Sequence, residues 1–307
     1  MTLGELGEDK IVERVIARLP RPDRVEVGPG DDCAVVRFGA EKQVLKTDCV
    51  IENIHFLPST APLRVGWKAL CRVISDFGAM GATPLDALVT LAAPRDTAIS
   101  WVDEFYQGLL AAAHRYNVSV VGGETARSPG PIFVSIAMSG SPPAKGIALR
   151  SGGRRGDRLF VTGKLGGSIA GRHLDFEPRL WEGQWLVEHF PIHAMLDLSD
   201  GLAADLPRLA RASKVGFSVD PQKLPINEGC SYEQAIGDGE DYELLFAIPP
   251  QLVSDLVKAW STAFPAVLLT EIGELTAAKS TRFPGTGFDH FGPETKKADG
   301  SSEFQSV

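Results

Sequence analysis

Cysteine is scarce in this sequence, and no two cysteines have the spacing of a metal or redox motif. The four of them, Cys33, Cys49, Cys71 and Cys230, form no Cys-x-x-Cys pair. A His-Glu-x-x-His motif is also missing, so the sequence argues against a zinc site and is typical of reduced thiols. The N-terminus combines early acids with helical apolar spacing, unlike a secretory signal. We therefore expect a cytoplasmic protein.

Long apolar runs and an excess of positive charge are missing as well. No apolar run approaches the ~20 residues that a membrane span requires. Acidic residues outnumber basic ones by 39 to 31, which gives a net charge of −8. These features argue against a membrane or a nucleic acid as partner. The Gly-x-Ser-x-Gly, Walker A and Gly-x-Gly-x-x-Gly motifs are absent too, so neither acyl transfer nor a common nucleotide loop has support.

The 307 residues are enough for two domains. Strand-like and helix-like segments alternate on both sides of the stretch GSPPAKGIALRSGGRRGD, which is rich in glycine, proline and arginine. Such a shift in composition indicates a domain boundary, and the alternation is typical of the α/β class. We predict an N-terminal domain over 1–140, a C-terminal α/β domain over 141–292 and a disordered polar tail over 293–307.

Hydrophobic periodicity predicts the individual elements. It indicates a strand over 43–50, then a helix across VGWKALCRVISDFGAMGA. Another helix is expected to begin at Ser100, which has the spacing of a capping box. In the second half, a strand, the glycine loop KLGG and a helix over 168–174 follow one another. Pro207 is expected near the first turn of a later helix, or else it kinks that helix.

Acidic residues recur where apolar elements end beside glycine. The stretch MLDLSDGLAADL places Asp197 inside an apolar strand and Asp200 at its end. GPGDDCAVV, LKTDCV, VISDFGAMGA, VVGGET and GDGEDYELLF repeat this pattern. Buried carboxylates repel one another unless a cation neutralises them, whereas solvated carboxylates at loops do not. Either these acids are separate caps and turns, or they converge on hard cations such as Mg²⁺ that also bind phosphate.

Two glycine-rich stretches allow two interpretations each. VTGKLGGSIAG has the order strand, glycine loop, helix, which aims backbone amides at an anion but also describes a plain turn. ALRSGGRRGD places Arg150 beside glycines, either as a phosphate clamp or as part of a solvated basic linker. His55 is a lone imidazole between apolar residues, and by itself it is better explained as a structural histidine.

Taken together, the motifs of the chain resemble those of the thiamine-monophosphate kinase family, in the superfamily of aminoimidazole ribonucleotide synthetase. The resemblance extends over nearly the whole chain in the motifs GPGDDCAVV, KTDCVIENIHF, KALCRVISDFGAMGATP, VVGGETARSP, LRSGGRRGDRLFVTG, LDLSDGLAADL, GDGEDYELLF and GFDHF. It implies a two-domain synthetase-like α/β fold whose N-terminal domain forms a homodimer. It also implies transfer of phosphoryl from ATP directly to thiamine monophosphate, with several Mg²⁺ ions.

The resemblance assigns roles to individual residues. Metal-binding positions of the family match Asp32, Thr47, Asp48, Asp76, Glu124, Asp197 and Asp200, of which Asp76 and Asp200 are expected to be catalytic. Nucleotide contacts match Tyr106, Gly123, Arg150 and Ser199. Substrate contacts match His55, Glu240 and Phe288. On this basis His55 becomes a site residue, and Phe288 is expected to pack against the rings of thiamine.

Three features depart from the family pattern. Glu124 stands where the family usually has Asp, so its oxygens are displaced by about one C–C bond, and Mg²⁺ geometry is demanding. Lys46 stands where a small Ser is usual, so its charge would either substitute for a metal ion or repel one. The segment between Gly171 and Ala194 is shorter than in many members of the family. A different ATP-dependent enzyme of this superfamily and a non-catalytic nucleotide-binding protein therefore remain alternatives.

Overall fold

The computed structural model describes residues 2–20, 22–277, 283, 285 and 287–291. The predicted disordered tail, 293–307, lies outside these residues. The strands are β1 (Val25–Val27), β2 (Ala34–Phe38), β3 (Glu41–Ile51), β4 (Thr83–Ala93), β5 (Ser119–Arg127), β6 (Phe133–Ser141), β7 (Arg158–Thr162), β8 (Ala194–Asp197), β9 (Gly216–Val219), β10 (Leu244–Ile248) and β11 (Leu269–Thr276). The α-helices are α1 (Leu3–Leu6), α2 (Glu8–Ile16), α3 (Pro62–Ala79), α4 (Ile99–Arg115), α5 (Leu180–His189), α6 (Leu202–Ser213), α7 (Tyr232–Gly237) and α8 (Val253–Ala263).

The strands form two separate sheets, one in each half of the chain. The first has the order β1-β2-β3-β6-β4-β5, and the second has the order β8-β10-β7-β11-β9. Among the described strands, β4 and β5 alone pair in parallel, because α4 connects them as a crossover. Two sheets with flanking helices confirm the predicted α/β class. The predicted boundaries at 140 and 292 remain predictions.

The two sheets differ in how their faces are covered. Helices α3 and α4 cover one face of the first sheet, while its other face leaves Leu45, Leu88 and Val121 exposed. In the second sheet, alternate residues of β7 and β10 face two different cores, so both faces are buried. Helix α3 is buried along most of its length and also contacts β8, which joins the two halves.

Two local predictions were wrong for identifiable reasons, and the structure settles the position of Pro207. The segment 168–174 forms two short 3₁₀ turns instead of one helix, because Gly171 between them has φ of +128°. Ser100 lies inside α4, whose N-cap is Ala98 without a side-chain cap. Pro207 lies in the second turn of α6 rather than the first, so the Ala203 carbonyl cannot accept the usual helical amide there.

Among the described residues, no helix has the length and apolar character needed to cross a membrane.

Candidate active site

Three buried carboxylates converge where the two halves of the chain meet. Asp32 precedes β2, Asp76 lies in the last turn of α3 and Asp197 ends β8. One potential ligand atom from each lies within 4.8 Å of the others, and all three residues are buried. We call these three residues the acid cluster. The structure thus brings together three of the predicted metal ligands from both halves.

Neighbouring donors satisfy only part of the acid cluster. The Lys46 ammonium lies 2.6 Å from Asp76 Oδ1. Arg150 donates from Nη2 and Nε to Asp32 Oδ1, at 2.5 and 3.1 Å. The Ser75 hydroxyl donates to Asp197 Oδ2 at 2.5 Å. These contacts leave Asp32 Oδ2 buried without a hydrogen-bond partner.

The electrostatics of the acid cluster are suited to binding a cation. Burial, and then the charge of Asp32, raise the pKa of Asp197 from 3.8 to about 6. Burial raises the pKa of Asp76 well above its ordinary value, and Lys46 opposes that rise. Two carboxylates whose charged forms are disfavoured, beside a third with an oxygen that lacks a donor, are suited to a hard divalent ion. The residues present therefore fit Mg²⁺.

The acid cluster adjoins a polar cleft of about 620 Å³. The cleft is lined by Lys46 and by three predicted site residues, Arg150, Ser199 and Asp200, while α2 forms one wall. On that wall, Asp9 forms an ion pair with Arg211 at 2.8 Å. The predicted nucleotide contacts Arg150 and Ser199 thus share one cleft with the predicted metal ligand Asp200.

Asp200 lies at this cleft, but its carboxylate is already engaged. It forms an ion pair with Arg208, which also pairs with Asp205 at 2.9 Å. The Asp205 carboxylate accepts the Asp200 amide at 3.0 Å. Burial and the charge of Asp200 raise the pKa of Asp205 to about 8. The metal and catalytic roles of Asp200 remain predictions, since Arg208 takes the position of a cation beside it.

Two further predicted ligands lie on β3 beside Lys46. Side chains alternate along a strand, so Asp48 shares the face of Lys46 and Thr47 points to the opposite one. Asp48 is half-buried, and its charge acts on both Lys46 and Asp76. Thr47 is exposed, with its hydroxyl 3.4 Å from that of Ser135. The structure supports Asp48 as a neighbour of the acid cluster and places the Thr47 side chain away from it.

Gly123, Glu124 and Tyr106 lie farther from the acid cluster. Gly123 and Glu124 are on the edge strand β5, three strands from β3, or about 14 Å at the usual strand spacing. A Cβ on Gly123 would lie 1.9 Å from the Val89 carbonyl oxygen, so this position requires glycine. Tyr106 is on α4 beside the first half of α3, about 15 Å along the helix from Asp76. Their predicted roles remain predictions.

A second polar cluster surrounds Glu240. Its fully buried carboxylate contacts Lys68 Nζ at 2.5 Å, His173 Nδ1 at 2.6 Å and Arg72 Nη1 at 3.4 Å. Burial alone would raise the pKa of Glu240, but the Lys68 and Arg72 charges and the His173 hydrogen bond hold it below its ordinary value. Lys68 and Arg72 belong to α3, so these four residues, which we call the Glu240 network, connect the two halves.

The backbone at Glu240 is in a conformation that side chains rarely adopt. Glu240 and Tyr242 both have φ of +51°, and their amides donate to the Ser199 and Leu198 carbonyls at 2.7 and 2.9 Å. Left-handed backbone at two such residues costs energy, and such strain is concentrated at functional sites. These amides anchor the loop directly beside the segment that bears Asp197 and Asp200.

The predicted substrate contacts His55 and Phe288 are linked by a residue that the sequence did not single out. The His290 ring lies 5.4 Å from the His55 ring and 4.9 Å from the Phe288 ring. The Phe288 amide donates to the Asp200 carbonyl at 2.9 Å, which places this aromatic row next to the cleft. Burial lowers the pKa of His55 to about 2, so its imidazole is neutral, and its Nδ1 accepts the Ile51 amide.

Sequence reasoning also missed Lys68 and Arg72. A signal was present, because both are charged, they lie four residues apart in a largely apolar helix, and Asp76 follows Arg72 after another four residues. Residues at such spacing share one helix face. The structure confirms this pattern, since that face of α3 contributes to both the Glu240 network and the acid cluster.

Comparison with known proteins agrees with this geometry. The family described as AIR synthase related protein matches in its N-terminal domain over residues 30–141 and in its C-terminal domain over 154–284. The thiamine-monophosphate kinase of Rhodopirellula baltica is 39% identical over 247 residues, or 74% of this chain and 78% of that protein. The thiamine-monophosphate kinase of Salmonella typhimurium is 33% identical over 93% of this chain and 98% of its own length.

A solved structure described as AaThiL complexed with AMPPCP and TMP is similar over nearly its whole length. It superposes with a TM-score of 0.78 at 32% identity, covering 94% of this chain and 99% of the other. The similarity in sequence and in structure extends across both halves of the chain. The chain therefore belongs to the thiamine-monophosphate kinase family and has both domains of the AIR synthase related proteins.

Proposed function

We propose that this chain transfers the γ-phosphoryl group of ATP directly to thiamine monophosphate and forms thiamine diphosphate. The observation that carries this proposal is the acid cluster, whose unpartnered Asp32 oxygen lies beside a polar cleft lined by Arg150 and Ser199. The curated relatives are named as kinases of this substrate, and one similar structure contains AMPPCP and TMP.

The cleft suits the polyphosphate of ATP. Arg150 uses Nε and one Nη nitrogen on Asp32, so its other N–H groups are available to phosphate oxygens. Ser199 lines the same cleft. Asp32, Asp76 and Asp197 would hold Mg²⁺, with Asp48 beside them. When bound, several such ions would neutralise charge that develops on the transferred phosphoryl group.

The acceptor end of the site suits thiamine. The thiazolium ring is a cation, and the face of Phe288 beside the cleft can stack on it. The attacking oxygen belongs to a phosphate ester that is already largely deprotonated near pH 7, so in-line transfer requires no strong general base. Neutral His55 agrees with this, because its lowered pKa excludes it as a proton carrier at that pH.

We also propose that two copies pair through the uncovered face of the first sheet. Leu45, Leu88, Val121 and Met138 line an apolar hollow of about 530 Å³ on that face. Leu88 is 49% exposed and Val121 59%, and exposed apolar patches of this kind mark interfaces. Gly123 and Glu124 are on the same strand as Val121, so their predicted contacts depend on how this face is covered. A cytoplasmic location remains our prediction from the sequence.

The test is ADP release from ATP and Mg²⁺, with and without thiamine monophosphate, with the product identified by mass. We expect release that depends on thiamine monophosphate, and a product heavier by one phosphoryl group. Asp76→Asn should lower the turnover number at least 100-fold while circular dichroism stays unchanged. Asp96→Asn, in an exposed turn, is the matched control.

Other outcomes would identify the alternatives. ADP release that ignores thiamine monophosphate would point to another acceptor in the same superfamily. Tight ATP binding without turnover would identify a non-catalytic homologue. Normal turnover in the Asp76→Asn variant would refute the assignment of the acid cluster as the site of phosphoryl transfer.

A further inference from the structure

Lys46 places a fixed positive charge inside the acid cluster. It extends from β3, a central strand of the first sheet, and its Nζ lies 2.6 Å from Asp76 Oδ1. The Lys46 side chain is 21% exposed and that of Asp76 is 7% exposed, so the pair is largely shielded from solvent. An ammonium at this distance occupies the space in which a cation bound to that Asp76 oxygen would lie.

The charges around the acid cluster are arranged asymmetrically. Arg150 is bonded to one oxygen of Asp32, while the other oxygen of that carboxylate is buried and unpartnered. Lys46 is bonded to Asp76 on the other side. Asp32 Oδ2 therefore remains available as a ligand of a divalent ion, whereas Asp76 Oδ1 already contacts a cation supplied by the chain.

We propose that the Lys46 ammonium takes the place of one divalent cation at Asp76, so that the chain binds one metal ion fewer than its carboxylates would otherwise hold. This inference rests on the proposed function, because phosphoryl transfer gives the cations of the site their purpose. An ammonium supplies a compact point charge with three donors, and it cannot accept oxygen ligands as Mg²⁺ does. It therefore neutralises Asp76 and prevents a divalent ion from approaching the same oxygen.

The number of divalent ions bound by the Lys46→Ser variant tests this inference. Purified wild-type and variant chains are titrated with Mn²⁺ alone, and free Mn²⁺ is measured by electron paramagnetic resonance. We expect the variant to bind one more Mn²⁺ per chain than the wild type, and Lys46→Arg to bind the same number as the wild type. Lys42→Ser is the matched control, because Lys42 is on the same strand, 51% exposed and paired with Glu26 at 2.7 Å.

A stability measurement shows whether the Lys46→Ser variant is folded. Lys46→Ser leaves Asp76 buried without its ammonium, so we expect a lower melting temperature in EDTA. Mn²⁺ should raise the melting temperature of this variant further than that of the wild type. A variant that stays unfolded with and without Mn²⁺, or a folded variant with the wild-type ion count, would overturn the inference.

Turnover separates this inference from the proposed function. If the chain is the kinase, Lys46→Ser should need at least tenfold more Mg²⁺ for half-maximal ADP release, because an ion must replace the ammonium. If neither the wild type nor the variant releases ADP but the ion count still rises by one in Lys46→Ser, the proposed function fails and the role of Lys46 stands. If a folded, active Lys46→Ser variant binds the wild-type number of ions, the proposed function stands and the role proposed for Lys46 is wrong.

Discussion

Asp197 should weaken the fold of the metal-free protein, and its removal should therefore be stabilising. Its carboxylate is buried at the end of β8, accepts a hydrogen bond from Ser75 and faces the charge of Asp32. An asparagine has nearly the same shape, can still accept from Ser75 and carries no charge. We expect Asp197→Asn to unfold at higher urea concentration than the wild type in EDTA at pH 8, while losing turnover.

The pKa of Asp197 gives the size of the expected change in the free energy of unfolding. It rises from 3.8 to about 6 on folding, so the protonated form is favoured in the folded state. Its stabilising contribution is complete below pH 3.8 and is lost as the pH rises through 6. At 1.36 kcal/mol for each pH unit, the loss is about 3 kcal/mol at pH 8 and about half of that at pH 5. The advantage of the variant should therefore grow with pH.

Urea unfolding at pH 5 and pH 8, in EDTA and in Mg²⁺, measures this directly. Mg²⁺ should stabilise the wild type at pH 8 and should stabilise Asp197→Asn much less, since the ion would lose a ligand. Asp96→Asn supplies the control for removing an exposed carboxylate. If Asp197→Asn is less stable than the wild type in EDTA at pH 8, the electrostatic description of the acid cluster is wrong.

Three further predictions concern the surroundings of the site. Gly123→Ala should lower the free energy of unfolding by several kcal/mol, because its Cβ would lie 1.9 Å from the Val89 carbonyl; thermal melts should show no such loss for Gly130→Ala, which has open space. Leu88→Asp should turn a dimer into a monomer in sedimentation velocity, and an unchanged sedimentation coefficient would exclude this face as the interface. Phe288→Ala should raise KM for thiamine monophosphate at least tenfold and leave KM for ATP nearly constant; equal changes in both would refute ring stacking.

The elements with the strongest periodicity were predictable. The strand over 43–50 and the long helix before Gly81 were both confirmed. The helix repeats apolar residues at helical spacing, and the strand is rich in β-branched and other apolar residues. The helix over 168–174 was not confirmed, because the sequence shows an apolar pattern there but not the positive φ of Gly171. Helix propensity depends on neighbours along the chain, whereas the backbone conformation of such a turn depends on the tertiary contacts of the segment.

The candidate site was predictable in its residue types rather than in its geometry. Acids beside glycine indicated a cation site, and the family resemblance selected Asp32, Asp76 and Asp197, which the structure does bring together. Periodicity contains no distance between segments that are remote in the chain. For that reason the contact of Lys46 with Asp76 could be posed only as a question, and the Glu240 network was missed.

One face of helix α3 carries residues of both the Glu240 network and the acid cluster, and this limits the insertions and deletions that the helix can accept. Lys68 and Asp76 are eight residues apart, so the helical rise fixes about 12 Å between the part of the site around Glu240 and the part around the acids. Inserting one residue between them would rotate Asp76 by about 100° around the helix axis. Natural variation in length should therefore accumulate in segments such as 171–194, while the number of residues from Lys68 to Asp76 stays constant.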